Sequence, residues 1–87
     1  MVYVYVIEGV DTNKRYVGIT NNLERRIKEH QSKKTKGGQI IGDSSLLHVE
    51  EFQNYKDARA HEKFLKSGKG RKWLMDKYPK TKLTKVE

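Results

Sequence analysis

Val2-Tyr3-Val4-Tyr5-Val6-Ile7 and Lys14-Arg15-Tyr16-Val17-Gly18-Ile19 are the two stretches that decide the fold. Both are rich in Val, Ile and Tyr, residues that fit a pleated, half-buried surface. The segment between them, Glu8-Gly9-Val10-Asp11-Thr12-Asn13, carries turn residues, so the pair reads as a β-hairpin. With the midpoint of the turn between Val10 and Asp11, Tyr5 falls directly opposite Tyr16. Cross-strand neighbours on one face approach to about 5 Å at Cβ. Packing is the default role of phenols on a hairpin, and the residues that follow add a second reading.

A helix is expected next. Asn21 can cap it, with Glu24 three positions on completing a capping box, and it runs to about Ser32. Leu23, Ile27 and His30 fall on one stripe with Arg26 beside them, while Arg25 points roughly 100° away, toward solvent. Arg26 and His30, one turn apart, therefore look back toward the sheet. Residues 32–45 form a Gly- and Lys-rich loop of a length that tends to be functional or disordered. Leu46 to Phe52 reads as a third strand. Asn54 can cap a second helix from Tyr55 to about Lys66, which packs through Ala58 and Leu65 with Glu62 between them on the same stripe. Ser67-Gly68-Lys69-Gly70 breaks that helix, and Arg71 to Tyr78 makes a short third one with Trp73 and Leu74 in the core. Pro79 stops it. The order is β-β-α-β-α-α, an α+β domain over residues 1–79, followed by a basic tail, residues 80–87, with no packing pattern and an expected mobility.

Eighty-seven residues, 34% of them hydrophobic, allow one sheet with a few helices on it. With no cysteine, neither a disulfide nor a thiolate-bound zinc can staple the fold. No apolar run approaches membrane-spanning length and the N-terminus lacks a secretory pattern, so a soluble, cytoplasmic protein is expected. Net charge is +8 and the pI near 9.8. From Lys63 onward, basic residues outnumber the acids Asp76 and Glu87 nine to two. A lopsided basic surface attracts a polyanion by counterion release, though lysine also serves simply to keep a small protein soluble.

Tyr3-Val4-Tyr5, Tyr16-Val17-Gly18, Asn22-Leu23-Glu24-Arg25-Arg26 with His30, and His61-Glu62-Lys63-Phe64-Leu65-Lys66, in that order and spacing, resemble the GIY-YIG nuclease superfamily, in particular its small single-domain members. The resemblance covers residues 2 to 78. It implies a three-stranded antiparallel sheet flanked by helices, and divalent-metal hydrolysis of DNA phosphodiesters. Carried over, Tyr5 and Tyr16 match the motif tyrosines, Arg26 the arginine of the first helix, His30 the histidine one turn later, and Glu62 the single metal-binding carboxylate. Gly18 matches the glycine closing the second motif, where a side chain would crowd the incoming phosphate. Tyr3 stands where the first motif has its glycine. The asparagine that many members carry after the glutamate has no counterpart, since Asn13, Asn21, Asn22 and Asn54 all precede Glu62.

Phosphodiester cleavage needs a deprotonated nucleophile, neutralised phosphoryl charge and help for the leaving alkoxide. Glu62, facing the apolar side of its helix, suits one ion of Mg²⁺ or Mn²⁺, which is commonly held by one or two carboxylates with water and phosphate. The alternative is an ion pair with Lys66 one turn on. The planar fork of Arg26 suits phosphate, or it snorkels along the sheet. His30 orients Tyr16 or a water, relays a proton, or fills the core as a satisfied imidazole. Tyr16 is the expected general base with Tyr5 supporting it by a hydrogen bond. A phenol of ordinary pKa about 10 needs a nearby cation for that role. Lys66, Lys69 and Arg71, with Gly18, are expected to meet the DNA. His48 and His61 complete no ligand set and are expected to be surface or structural. Two functions compete: a metal-dependent DNA endonuclease, and a DNA-binding module on the same fold that no longer cuts. A protein adaptor rests on charge alone. No helix-turn-helix or zinc finger is present to set a target sequence, so structure-selective or permissive action is expected, with any target specificity supplied by a partner protein.

Overall fold

A strand that is apolar at every position must be covered on both sides, and Val2 to Ile7 is such a strand. The computed structural model describes residues 1–9, 14–31 and 44–79. Over these the elements are β1 (Val2–Gly9), β2 (Arg15–Thr20), α1 (Leu23–Gln31), β3 (Ser44–Phe52), α2 (Tyr55–Lys66) and α3 (Gly68–Lys77). They build a three-stranded antiparallel sheet of order β2-β1-β3, with β1 in the middle. Alternation divides the core in two. Val2, Val4 and Val6 pack with Val17 of β2 against Ala58 and Leu65 of α2 and Leu74 of α3. Tyr5 and Ile7 face the other way and pack with Tyr16, Leu23 and Ile27, under α1. The α+β class and the β-β-α-β-α-α order expected from the sequence are observed. The turn at residues 10–13, most of the 32–45 loop and the 80–87 tail lie outside the described residues.

Several local expectations are corrected. Tyr5 pairs with Gly18, and Tyr16 with Ile7. The ladder closes with Glu8 opposite Arg15 and with the Gly9 amide donating to the Lys14 carbonyl at 2.8 Å. The midpoint of the strand register is thus one residue later than assumed. That moves every partner by two, an even slip, so both tyrosines keep the same face and become diagonal neighbours. In β3, Val6 pairs with His48 but Ile7 with Leu46. Leu47 is the bulged residue, and the bulge turns it into the α2/α3 side of the core. β3 also begins at Ser44, so Ser44 and Ser45 belong to the strand rather than the loop.

The helix caps follow the same physics with shifted positions. Asn22, not Asn21, caps α1: its Oδ1 accepts from the Arg25 amide at 3.1 Å. Glu24 then sits one place too early for a capping box and instead reaches the exposed Lys28 at 3.8 Å. Asn54 caps α2 as expected, accepting from the Asp57 amide at 2.9 Å. Ser67 both ends α2 and caps α3, accepting from the Gly70 amide at 3.2 Å, so the third helix restarts at Gly68 rather than Arg71. Gly70 lies inside it because α3 crosses the end of α2 too closely for a Cβ, which would overlap the Phe64 carbonyl. Leu74 is buried, whereas Trp73 is 37% exposed rather than core, edge-on to His48.

Candidate active site

The slipped register decides what Tyr5 does. With Gly18 opposite, the phenol lies flat across a position without a side chain; a Cβ there would fall on its Oη and Cζ. The space Gly18 leaves is thus taken by Tyr5. From there the Tyr5 hydroxyl reaches Nε2 of His30 on α1 at 2.8 Å. Each of the two residues is only 1% exposed. Burial, then the neighbouring Tyr16, push the Tyr5 phenol well above its ordinary value. Glu62 and Glu29 add to this, and the Arg26 charge opposes it. Burial, reinforced by Arg26 and opposed by Glu29, holds His30 below its ordinary value. Both groups are therefore neutral near pH 7, and they share one buried hydrogen bond whose direction follows the histidine tautomer. The expected Tyr5 hydrogen bond goes to His30, not Tyr16.

A depressed histidine carries a pH signature. Unfolded His30, with a pKa of about 6.5, binds a proton that the folded chain refuses. The unfolded state therefore holds more protons below that pH, and stability falls as pH falls through this window. His30→Gln, whose Oε1 can accept from Tyr5, is expected to flatten the rise of unfolding free energy between pH 5 and 7, measured by urea denaturation. An unchanged slope would sink the assignment.

Around the buried pair sit residues that solvent reaches. Tyr16 is half-buried, its ring 5.1 Å from that of His30. The Arg26 side chain is 38% exposed and holds Glu29 at 3.1 Å. Arg25 points outward as expected and contacts the same glutamate at 3.8 Å. On the far side of β2, the Glu62 side chain is 12% exposed and meets Lys66 Nζ at 3.1 Å. Its charge is felt at the Tyr5 phenol, so the carboxylate, both tyrosines and Arg26 share one electrostatic neighbourhood. Glu62 belongs to no three-ligand cluster among the described residues. A lone carboxylate fits a hard cation that takes the rest of its shell from water and phosphate.

Tyr16 also lines a cleft of ≈ 520 Å³ with Arg15, Val17, Leu65, Lys66, Arg71, Leu74 and Met75. Lys66 and Arg71 thus share a cleft with Tyr16. Lys69 is exposed and does not line it. Arg15 is the cation that sequence reading missed. It is bound to Glu8 at 3.0 Å and to the Tyr78 carbonyl, while its Nη1 is buried with no hydrogen-bond partner. Its partner Glu8 stands opposite it only in the observed register, not in the one assumed from the sequence.

A second group was also missed. His48 and Glu50, two apart on β3, face α2, where His61 meets them. Burial alone would raise the Glu50 carboxyl, but the His48 hydrogen bond and the charges of His61 and His48 outweigh it and hold it low.

A family profile described as the GIY-YIG catalytic domain matches residues 1–77. The chain is 39% identical over 70 residues to a UPF0213 protein of Clostridium perfringens (strain 13 / Type A), covering 76% of this chain and 71% of the relative. It is also similar to the solution NMR structure of a UPF0213 protein from Bacillus halodurans. That match has a TM-score of 0.54 and 30% identity, over 100% of this chain and 98% of that one.

Proposed function

The chain belongs to the GIY-YIG family, and from that premise we propose that it is a divalent-metal-dependent endonuclease that hydrolyses DNA phosphodiesters, structure-selective or permissive rather than sequence-specific. One observation carries the reading. Tyr16 stands on the buried, neutral Tyr5–His30 pair at the edge of a cleft it shares with Arg15, Lys66 and Arg71. A phosphodiester in that cleft meets three cations, with Tyr16 at its edge. Tyr16, once it has released its own proton to solvent beside these cations, takes as phenolate the proton of the attacking water, and His30, neutral and hydrogen-bonded to Tyr5, holds the Tyr16 ring in place. Arg26, on the solvent side of the pair, neutralises charge on the phosphoryl oxygens. A Mg²⁺ or Mn²⁺ ion bound at Glu62 would supply Lewis-acid stabilisation of the phosphoryl and leaving oxygens.

The second reading, a DNA-binding module that no longer cuts, is favoured by the Lys66 ammonium at 3.1 Å from Glu62 and by the absence of an asparagine after it. One experiment separates the two. Duplex, flap, branched and single-stranded DNAs are incubated with wild type and Glu62→Ala, with Mg²⁺ or Mn²⁺ and with chelator. The endonuclease reading expects nicking that chelator abolishes and Glu62→Ala lowers by about 10³-fold or more. Salt-sensitive DNA binding without nicking of any substrate, unaltered in Glu62→Ala, leaves the binding module.

A further inference from the structure

We propose that His48, Glu50 and His61 form a binding site for a divalent transition-metal ion of the zinc class, on the opposite face of the sheet from Tyr5 and His30 and independent of any ion at Glu62. The bulge in β3 sets the geometry. It leaves His48 opposite Val6 and Glu50 opposite Val4, so both side chains project onto the α2/α3 side. His61 on α2 comes down on them, its ring between Phe52 and Phe64 at centroid distances of 5.3 and 5.9 Å. One carboxylate oxygen of Glu50 then lies 2.9 Å from His48 Nε2 and 3.1 Å from His61 Nε2. One ligand atom from each residue falls within 4.8 Å of the others.

This convergence differs from a hydrogen-bonded trio in one respect. His61 Nε2 is buried and, although the Glu50 oxygen lies 3.1 Å away, does not form a regular hydrogen bond with it. A buried polar atom left in this state costs free energy. Bound to a cation, its lone pair would be used. Ligand atoms around a tetrahedral zinc, each about 2.0–2.2 Å from the metal, stand roughly 3.3 Å apart. The two short separations need to open by only a few tenths of an ångström, and the Glu50 side chain, 35% exposed, has room to do so.

The surroundings supply the outer support that metal-bound histidines use. His48 Nδ1 is 2.8 Å from the Tyr78 hydroxyl just after α3. With Nε2 on a metal, Nδ1–H donates to that oxygen and fixes the ring. Two imidazoles and one carboxylate suit Zn²⁺ or Co²⁺ better than Mg²⁺, which prefers an all-oxygen shell. Three protein ligands leave a fourth position for water. The chain has three histidines and no cysteine. With His30 buried against Tyr5, His48 and His61 are the imidazoles left for an incoming ion. An ion here would join β3 to α2 and, through Tyr78, to the end of α3.

The test uses the intact chain, with Co²⁺ as spectroscopic probe and Zn²⁺ in calorimetry at pH 7.5. One equivalent of Zn²⁺ is expected to bind and raise the melting temperature. Co²⁺ should give the visible bands of a four-coordinate site, bleached by Zn²⁺. His61→Gln and Glu50→Gln should each weaken binding by about a hundredfold or more, and Tyr78→Phe by roughly tenfold. Glu62→Ala should bind Zn²⁺ as wild type does, whatever becomes of its DNA cleavage, so the two sites fail separately. Circular dichroism of each variant confirms folding, and Glu50→Gln, at the most exposed ligand, remains informative if His61→Gln does not fold. No saturable one-to-one uptake by wild type, or uptake that survives Glu50→Gln and vanishes in Glu62→Ala, would overturn the proposal.

Discussion

Gly18→Ala is expected to destabilise the domain by about 3 kcal/mol, the sum of overpacking and of a broken buried hydrogen bond, each roughly 1–3 kcal/mol. No unusual backbone angle is involved; the cost is space. A methyl at residue 18 falls on the Tyr5 hydroxyl and Cζ, and the ring lies between β1, β2 and α1 with 1% of its surface exposed. It cannot swing out without breaking its buried hydrogen bond to His30 Nε2. Against a stability of about 5–15 kcal/mol for an average domain, such a loss is large. The claim is sharper as a pair than as a single variant. In Tyr5→Leu the atoms that a residue-18 methyl meets are gone, so Gly18→Ala made on that background should cost about 1–2 kcal/mol less than on wild type. The two changes made together then destabilise less than the sum of their separate effects in urea denaturation. Additivity within about 0.5 kcal/mol would mean that the ring does not lie over Gly18.

The same residue shows what the sequence could and could not disclose. Alternation in Val2–Ile7 and Arg15–Ile19 assigns every side chain to a face, and the faces were right because the period of a strand is two whatever its partner. The partner depends on where the turn closes. Slots one residue apart in Glu8–Asn13 give equally plausible hairpins, so the opposition of Tyr5 to Tyr16 was an even slip from the truth. Helix stripes were legible for a similar reason: Ala58, Glu62 and Leu65 share a face at any register, and Ala58 and Leu65 are buried.

Long-range convergence was not legible. His48 and Glu50 at i, i+2 announce a common face. That it is the face met by His61 follows from a bulge at Leu47 and the angle of α2, neither of which leaves a local signal. Arg15 was overlooked for a related reason. Its place in the cleft with Lys66 and Arg71 is set by how α2 and α3 pack beside β2. Trp73 was assigned to the core, yet α3 starts at Gly68 rather than Arg71 and presents Leu74 inward, with Trp73 at the rim.

Tyr16→Phe is expected to lower DNA cleavage by about 10²–10⁴-fold, the range for losing a general base, while leaving stability nearly unchanged. Tyr5→Phe is expected to do the converse. The two phenols are diagonal neighbours on one face, so their different roles come from burial. Tyr5 is sealed under α1, held well above the ordinary phenol range chiefly by desolvation, and its hydroxyl is hydrogen-bonded to His30. A group in that state neither ionises at a working pH nor touches a phosphate. Removing its oxygen orphans the imidazole and costs about 1–3 kcal/mol of stability. Tyr16 is half-buried and lines the cleft with Lys66 and Arg71, so on the proposed reading removing its hydroxyl takes away the base but leaves its ring packed on His30. The comparison is made at a temperature where both variants are more than 95% folded, with initial nicking rates read on the DNA that wild type cuts best. If Tyr5→Phe abolishes cleavage in the folded state while Tyr16→Phe cuts normally, the base and its support have been assigned the wrong way round. The buried pair would then have to open for the reaction. Equal, modest effects of both would place the proton transfer on neither phenol and leave the water to the Arg26 side of the site.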